Sequence, residues 1–248
     1  MVFLQNPIAN SQYYPYDTPG GSPPRYHTLM ADRPICPLCN TRKPKRPCPA
    51  LSADICPQCC GREREETIRC PLDCPYLLEG RKHDRPGPEH VLDFPHKDIR
   101  VEEEYIEQIH ELFTVVSLSI VKAAQETPGI LDSDIRDCLE AVIKTYRTQD
   151  SGLIYETKPA NTVAAAMQTR LTESIEEFKK FAFEKTGVHS VKDADLLKIL
   201  VFLQRLEITS NNGRRYGRAF YSSMRNAFDV QAPDAVTLAP ESTSSLII

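Results

Sequence analysis

Eight of the nine cysteines fall between Cys36 and Cys74, in the run CPLCNTRKPKRPCPALSADICPQCCGREREETIRCPLDC. The apolar residues among them are Leu38, Ala50, Leu51, Ala53, Ile55, Ile68 and Leu72, with no aromatic side chain. So little hydrocarbon cannot close a segment by burial, and small units of this kind are held by disulfides or by metal. The N-terminus, MVFLQNPIANSQYYPYD, has neither a basic leader nor an apolar run of signal-peptide length. The expected compartment is therefore the reducing cytoplasm, where thiolates bind metal in preference to pairing. A structural zinc site supplies on the order of 10 kcal/mol of apparent binding free energy, which becomes folding free energy where the apo segment has no core.

Spacing refines the expectation. Cys36-Pro-Leu-Cys39 and Cys56-Pro-Gln-Cys59 are both CPxC turns, in which proline presets φ and two thiolates converge on one ion. Gly61, after the second turn, is expected to take positive φ and lead the chain off the metal. Cys48, Cys70 and Cys74 each precede a proline as well, the mark of a second set of ligand turns. Adjacent Cys59 and Cys60 point apart in an extended segment and so suit different ions. These considerations assign Cys36, Cys39, Cys56 and Cys59 to one tetrahedral zinc site and Cys48, Cys60, Cys70 and Cys74 to another. Sequential and other interleaved pairings satisfy the same count.

Two other chemistries use the same cysteines. An iron–sulfur cluster also takes four thiolates, and Cys70-x-x-x-Cys74-Pro75 is similar to a ferredoxin ending, but the dense C-x2-C-x2-C run is missing. A thiol redox function is the other, since a CxxC pair alone is ambiguous. His83, His90 and His96 follow in a Pro-rich stretch. Any one of them could replace a cysteine ligand, although eight thiolates already complete two sites.

The string CPxC followed by CPxCCGxxRxxxIxCPxxCPYL, from Cys36 to Leu77, resembles the head of an uncharacterised bacterial family of cysteine-rich proteins of unknown function. That resemblance implies no activity. The CPxC turns are also similar to the knuckles of zinc ribbons and treble clefs, which implies metal and leaves the partner open.

Around this core of cysteines the chain divides by composition. Twenty prolines against ten glycines concentrate before residue 96 and after residue 232, leaving the middle for regular structure. Residues 1–33 are expected to be a disordered arm, 34–82 the metal module, 83–97 a linker, 98–228 a helical domain and 229–248 a disordered tail. No apolar run approaches the length of a membrane span, and the C-terminal Leu246-Ile247-Ile248 is too short to anchor one.

The fold class expected is mostly α: an irregular two-zinc module followed by an all-α bundle of about five helices. The first helix begins near Asp98, carries Tyr105, Ile109, Leu112, Phe113, Val116 and Ile120 at three- and four-residue steps, and stops at Pro128-Gly129. Its section from Val115 to Val121 is apolar nearly all round, which places it centrally. The second runs from about Asp134 to Arg147, with Cys138 on its apolar face as a core residue. A third, from about Thr162 to Lys185, turns Met167, Leu171, Ile175, Phe178 and Ala182 inward and ends at Gly187. The fourth covers about Val191 to Ser210 with Ser190 and Asp193 as a capping box. A fifth, about Arg215 to Phe228, groups Tyr216, Phe220, Ser223, Met224 and Ala227.

Charge gives two candidate anion or nucleic-acid sites. Between Arg33 and Lys82 stand ten Lys or Arg and six Asp or Glu; two Zn(Cys)4 centres at −2 each cancel that excess, so internal compensation is the simpler account. Arg42, Lys43, Lys45 and Arg46 form the densest run, without interleaved aromatics for stacking. Arg214, Arg215 and Arg218 form the second, near Arg225. The sequence contains no phosphate loop, dinucleotide fingerprint, HExxH or GxSxG, so nothing in it points to catalysis. The expected role is a non-enzymatic zinc protein whose module recognises a macromolecule, protein before nucleic acid, through the loop Asn40–Pro47 and the segment Arg62–Arg69.

Overall fold

A computed structural model describes residues 34–84, 94–150, 152 and 155–228, with the side chain of residue 150 excepted. The expected arm at 1–33, His90 with most of the linker, and the tail at 229–248 with Leu246-Ile247-Ile248 lie outside the described residues. By its contacts the chain divides into residues 1–34, of which only Pro34 is described, and a unit from Ile35 onward.

The described residues are mostly helical, with the cysteine cluster near the N-terminus. Within the cluster, β1 (Arg46–Cys48) and β2 (Ala53–Ile55) form an antiparallel hairpin with Cys48 opposite Ala53, followed by short helices α1 (Pro57–Glu63) and α2 (Pro75–Arg81). Both helices start on a proline directly after a cysteine, where the missing N–H costs nothing and φ is already helical.

Beyond the linker come α3 (Glu103–Gln108), α4 (His110–Gln125), α5 (Asp132–Asp150), α6 (Thr162–Thr186), α7 (Asp193–Ser210) and α8 (Ala219–Ala227). The helices α6 and α7 each pack against both α4 and α5, and α8 closes against α4, α5 and α7. Their shared core holds Val116, Ile120, Ile135, Leu139, Ile143, Met167, Leu171, Leu196, Leu200 and Phe220, with Cys138 fully buried among them. Burial pushes the Cys138 thiol up to about 12, as expected of an inert core thiol.

Several local expectations are corrected. The single helix expected from Asp98 to Pro128 breaks at Ile109 (φ −109°, ψ 27°) although neither Pro nor Gly stands there. The third helix begins at Thr162 and ends at a left-handed Gly187 (φ 69°) as expected, with Asn161 as its cap, whose side chain accepts from the Val163 N–H at 2.9 Å. Past Ile175 this helix leaves the core, so Phe178 and Ala182 are only half-buried while Phe181 and Phe183 are exposed. The capping box on α7 does not form: Lys192 precedes the helix and makes no side-chain cap. The last helix begins at Ala219, four residues late, and its buried face is Phe220, Tyr221, Ser222 and Met224, with Ser223 and Ala227 exposed. Residues 211–218 are drawn out of helix because they strap the cysteine segment to the bundle.

That strap is built around Glu65, a residue with no exposed surface and a positive φ of 54°. Its carboxylate accepts from Arg81 Nη2 at 2.8 Å, Asn212 Nδ2 at 2.8 Å and the Arg218 N–H at 3.3 Å, while its carbonyl accepts the Tyr216 N–H at 2.7 Å. Arg214 donates to the Arg64 carbonyl at 2.6 Å, Arg218 donates to the Cys70 carbonyl, and Arg69 lies over the Tyr216 ring at 4.5 Å. A buried carboxylate is tolerable only when so fully hydrogen-bonded.

The end of the expected linker is docked too. His96 Nε2 lies 3.0 Å from Glu140, Arg147 lies 2.8 Å from His96 Nδ1, and Arg205 donates to the carbonyls of His96 and Ile99. His96 therefore belongs to the helical core's surface and not to the cysteines.

Candidate metal centre

The sulfurs of Cys36, Cys39, Cys56 and Cys59 all lie within 4.8 Å of one another, and those of Cys39 and Cys56 are 4.0 Å apart. Tetrahedral zinc at roughly 2.3 Å from each sulfur needs sulfurs about 3.8 Å apart. A small contraction of the four side chains therefore closes a coordination sphere, and three of the four residues are buried. The set matches the first site expected from the two CPxC turns.

Two different backbone devices supply it. Cys36 and Cys39 sit on a tight turn in which Cys36 N–H donates to the Arg42 carbonyl (2.8 Å) and Asn40 N–H to the Cys36 carbonyl (2.8 Å). Asn40 takes the left-handed conformation (φ 49°) that turns the chain away, as asparagine can. Cys56 instead caps α1, accepting the Cys59 N–H on its sulfur at 3.4 Å, and Cys59 stands in the first helical turn. Gly61 lies inside this helix and is not among the positive-φ glycines, so the exit role expected of it falls to Asn40 on the other turn. The β1–β2 hairpin joins the two devices.

The electrostatics show what the four sulfurs lack. Backbone N–H groups of Arg42 and then Thr41 bring Cys39 down to about 6, whereas burial and the neighbouring Cys56, Cys39 and Cys36 sulfurs push Cys59 up to about 12. Negative charge can settle on part of the cluster only, because four thiolates in one pocket repel. A divalent cation removes that conflict and holds all four deprotonated. Arg42 makes a partial substitute: its guanidinium is held more basic than usual by the Cys56 and Cys39 sulfurs beside it. Exposed Lys43 and Lys45 continue the basic loop, and half-buried Arg46 lies over the Tyr76 ring at 4.8 Å.

The second expected set is gathered less tightly. Cys48, Cys60, Cys70 and Cys74 share one buried cluster with Ile55, Ile68, Leu77 and the first four cysteines, yet among the described residues only the first four sulfurs converge to metal-binding distance. Cys60 follows Cys59 on α1 and so points about 100° away from it. Burial raises the Cys70 thiol, and the nearby Cys74, Glu65 and Cys48 raise it further although the Glu65 N–H group opposes them. No disulfide joins the cysteines. His83 is exposed beside Glu79, at 3.6 Å, and joins neither set.

Of the other candidate residues, Arg214 and Arg218 are engaged by carbonyls at the strap, and Arg215, exposed, lies 5.5 Å from the Tyr216 ring. The segment Arg62–Arg69, expected to be displayed, is displayed in part: Arg62, Glu66, Thr67 and Arg69 are exposed, whereas Glu65 and Ile68 are buried. Sequence reasoning gave Glu65, Asn212 and Asp84 no structural role; acidic and amide residues in irregular segments read as solvated, and no periodicity marks them otherwise.

No protein-family model, curated protein or solved structure matches this chain. No helix among the described residues is long and apolar enough to cross a membrane.

Proposed function

We propose that this is a cytoplasmic zinc protein in which a two-zinc module, fixed to a helical bundle, recognises another protein. The convergence of Cys36, Cys39, Cys56 and Cys59 within 4.8 Å carries the proposal. Knuckle, hairpin and helix N-terminus follow one another as in a treble clef, an order that supports structural zinc with a closed coordination shell. Cys48, Cys60, Cys70 and Cys74 take the second ion, drawn together from the buried cluster they already share.

The module offers a surface suited to a partner. Ile35 (57% exposed), Leu38 (38%) and Leu51 (40%) stand at the knuckle and the hairpin tip, with exposed Arg42, Lys43 and Lys45 between them. Apolar tips held by metal on a small scaffold, ringed by cations, fit an acidic protein surface with an apolar centre. The Arg46 guanidinium already covers the ring of Tyr76, which leaves nucleic acid without a stacking platform there.

Metal analysis of protein purified without oxygen tests the first half. Two zinc per chain is the expected result, one zinc removes the second site, and iron with visible absorption replaces zinc by a cluster. For the second half, L38E and L51E leave the zinc content unchanged and abolish capture of a protein partner from lysate. Capture by nucleic acid alone, lost on replacing Arg42, Lys43 and Lys45, would reverse the choice of partner.

A further inference from the structure

Beyond the described part of the chain, residues 229–248 follow α8 and carry Asp229, Asp234 and Glu241 with no Lys or Arg. Val236, Leu238, Leu246, Ile247 and Ile248 make the same segment partly apolar. One face of the cysteine module has the matching character, with Ile35, Leu38 and Leu51 exposed and Arg42, Lys43 and Lys45 exposed between them in sequence. With both zinc centres loaded the module is close to neutral overall, but its charge is uneven. Glu63, Glu65, Glu66, Asp73 and Glu79 all lie in or beyond α1, whereas between Pro34 and Ile55 Asp54 alone stands against Arg42, Lys43, Lys45 and Arg46. That stretch keeps one positive charge in excess after the −2 of a loaded first centre is counted. Lys43 and Lys45 join no ion pair among the described residues.

The acidic segment starts within reach of that face. Asn226, near the end of α8, lines a cavity of about 410 Å³ together with Arg81 and Asp84, at and just beyond the end of α2. At the other end of α2 the Tyr76 ring lies under the Arg46 guanidinium at 4.8 Å, and Lys45 is the next residue along β1's approach. A helix of this length spans about 10 Å, so the path from the end of α8 to the basic loop is on the order of 30 Å. The 13 residues from Asp229 to Glu241 extend to about 43 Å. Leu246, Ile247 and Ile248 then remain for the apolar tips.

We propose that residues 229–248 dock on this face, setting Asp234 and Glu241 against Arg42, Lys43 and Lys45 and laying Leu246, Ile247 and Ile248 on Leu38 and Leu51. The docking takes the partner surface proposed above as given and adds its regulation: an incoming acidic protein has to displace an acidic segment of the same chain. A tether of this length gives a local concentration on the order of 1 mM, so a contact with a dissociation constant of roughly 0.3 mM leaves the face about three-quarters covered. A second copy of the chain fits less well. A two-fold interface sets one patch against itself and brings Lys43 and Lys45 up to their own copies.

Carbodiimide treatment of the full chain as purified, with its metal content measured alongside, tests this, because the reagent joins a carboxylate to an amine only where the two meet. The expected product is an amide within one chain between Asp234 or Glu241 and Lys43 or Lys45, found by peptide mass mapping and lost at about 1 M salt, where the Debye length falls to about 3 Å. In the D229N/D234N/E241Q variant the metal content should stay unchanged while acylation of Lys43 and Lys45 by a soluble active ester speeds up about threefold or more. No amide to Lys43 or Lys45, amides to the exposed Lys180, Lys185 or Lys192 in their place, crosslinks between two chains only, or acylation unchanged in the variant would each overturn the docking. One zinc in place of two, or nucleic acid as the captured partner, would overturn the function proposed above and leave an intrachain crosslink standing.

Discussion

The Glu65 carboxylate, with no exposed surface, accepts the Asn212 side-chain amide at 2.8 Å across 147 residues of chain. With the Arg81 and Arg218 bonds to the same carboxylate, it makes the joint between the cysteine segment and the bundle. E65A would leave the buried Arg81 guanidinium uncompensated, a situation that typically costs about 3–5 kcal/mol. The expected outcome is a drop of that order in unfolding free energy by denaturant titration. N212A, which removes one bond and leaves the charge pair intact, should cost about 1–3 kcal/mol.

Gly80 and Arg64 form a second fixed relationship. A Cβ placed on Gly80 would lie 1.3 Å from Arg64 Nη1, whose guanidinium is held by the Tyr76 carbonyl at 3.3 Å and by Asp84. G80A therefore displaces a half-buried side chain from two partners, and a loss of about 1–3 kcal/mol is expected. In an R64A background the obstacle is gone, and alanine should then stabilise α2 by about 1 kcal/mol through helix propensity. A double-mutant cycle measured by thermal or denaturant unfolding reads this change of sign.

The parts legible in the sequence are those with short-range causes. Two CPxC turns identify four ligands because proline, spacing and thiol chemistry act within four residues, and the three long helices α5 to α7 follow from apolar period. Asn161 before Thr162 was readable as a cap and was passed over. The strap was not readable: Tyr216 and Arg218 have a helix-compatible pattern, and the buried Glu65, far away in sequence, holds them in a turn and loop ahead of α8. The same contact removes Arg214 and Arg218 from the solvated face that their spacing suggests.

Asp132 lends the bundle a measurable pH dependence. Its carboxylate accepts the Phe220 and Tyr221 N–H groups at 2.9 and 3.0 Å, capping α8 from the start of α5, and burial raises its pKa from 3.8 to about 6. The folded state thus holds the proton more tightly than the unfolded chain, so the stability it contributes is complete below about pH 4 and is lost as pH rises through 6. Between pH 7 and 5.5 the wild type should gain roughly 1 kcal/mol relative to D132N, which cannot titrate. Metal loss at lower pH is common to both proteins, so the difference between their unfolding free energies isolates Asp132.

Removing the metal separates the two halves of the chain by what folds them. The bundle buries Ile120, Leu139, Leu171, Leu200 and Phe220 in a continuous core, whereas the cysteine segment has mainly its sulfurs, Ile55, Ile68 and Leu77. A structural site is worth on the order of 10 kcal/mol of apparent free energy, more than so few apolar side chains can replace. Chelation should therefore release amide protection across Cys36–Leu77 while α5 and α7 stay protected, read by hydrogen exchange. C59S should lose one metal equivalent and reproduce the effect locally, and C138A, deep in the bundle, should keep full metal content while lowering stability. Protection of Cys36–Leu77 that survives complete chelation would mean that packing against the Glu65 strap, and not sulfur-bound metal, holds the segment.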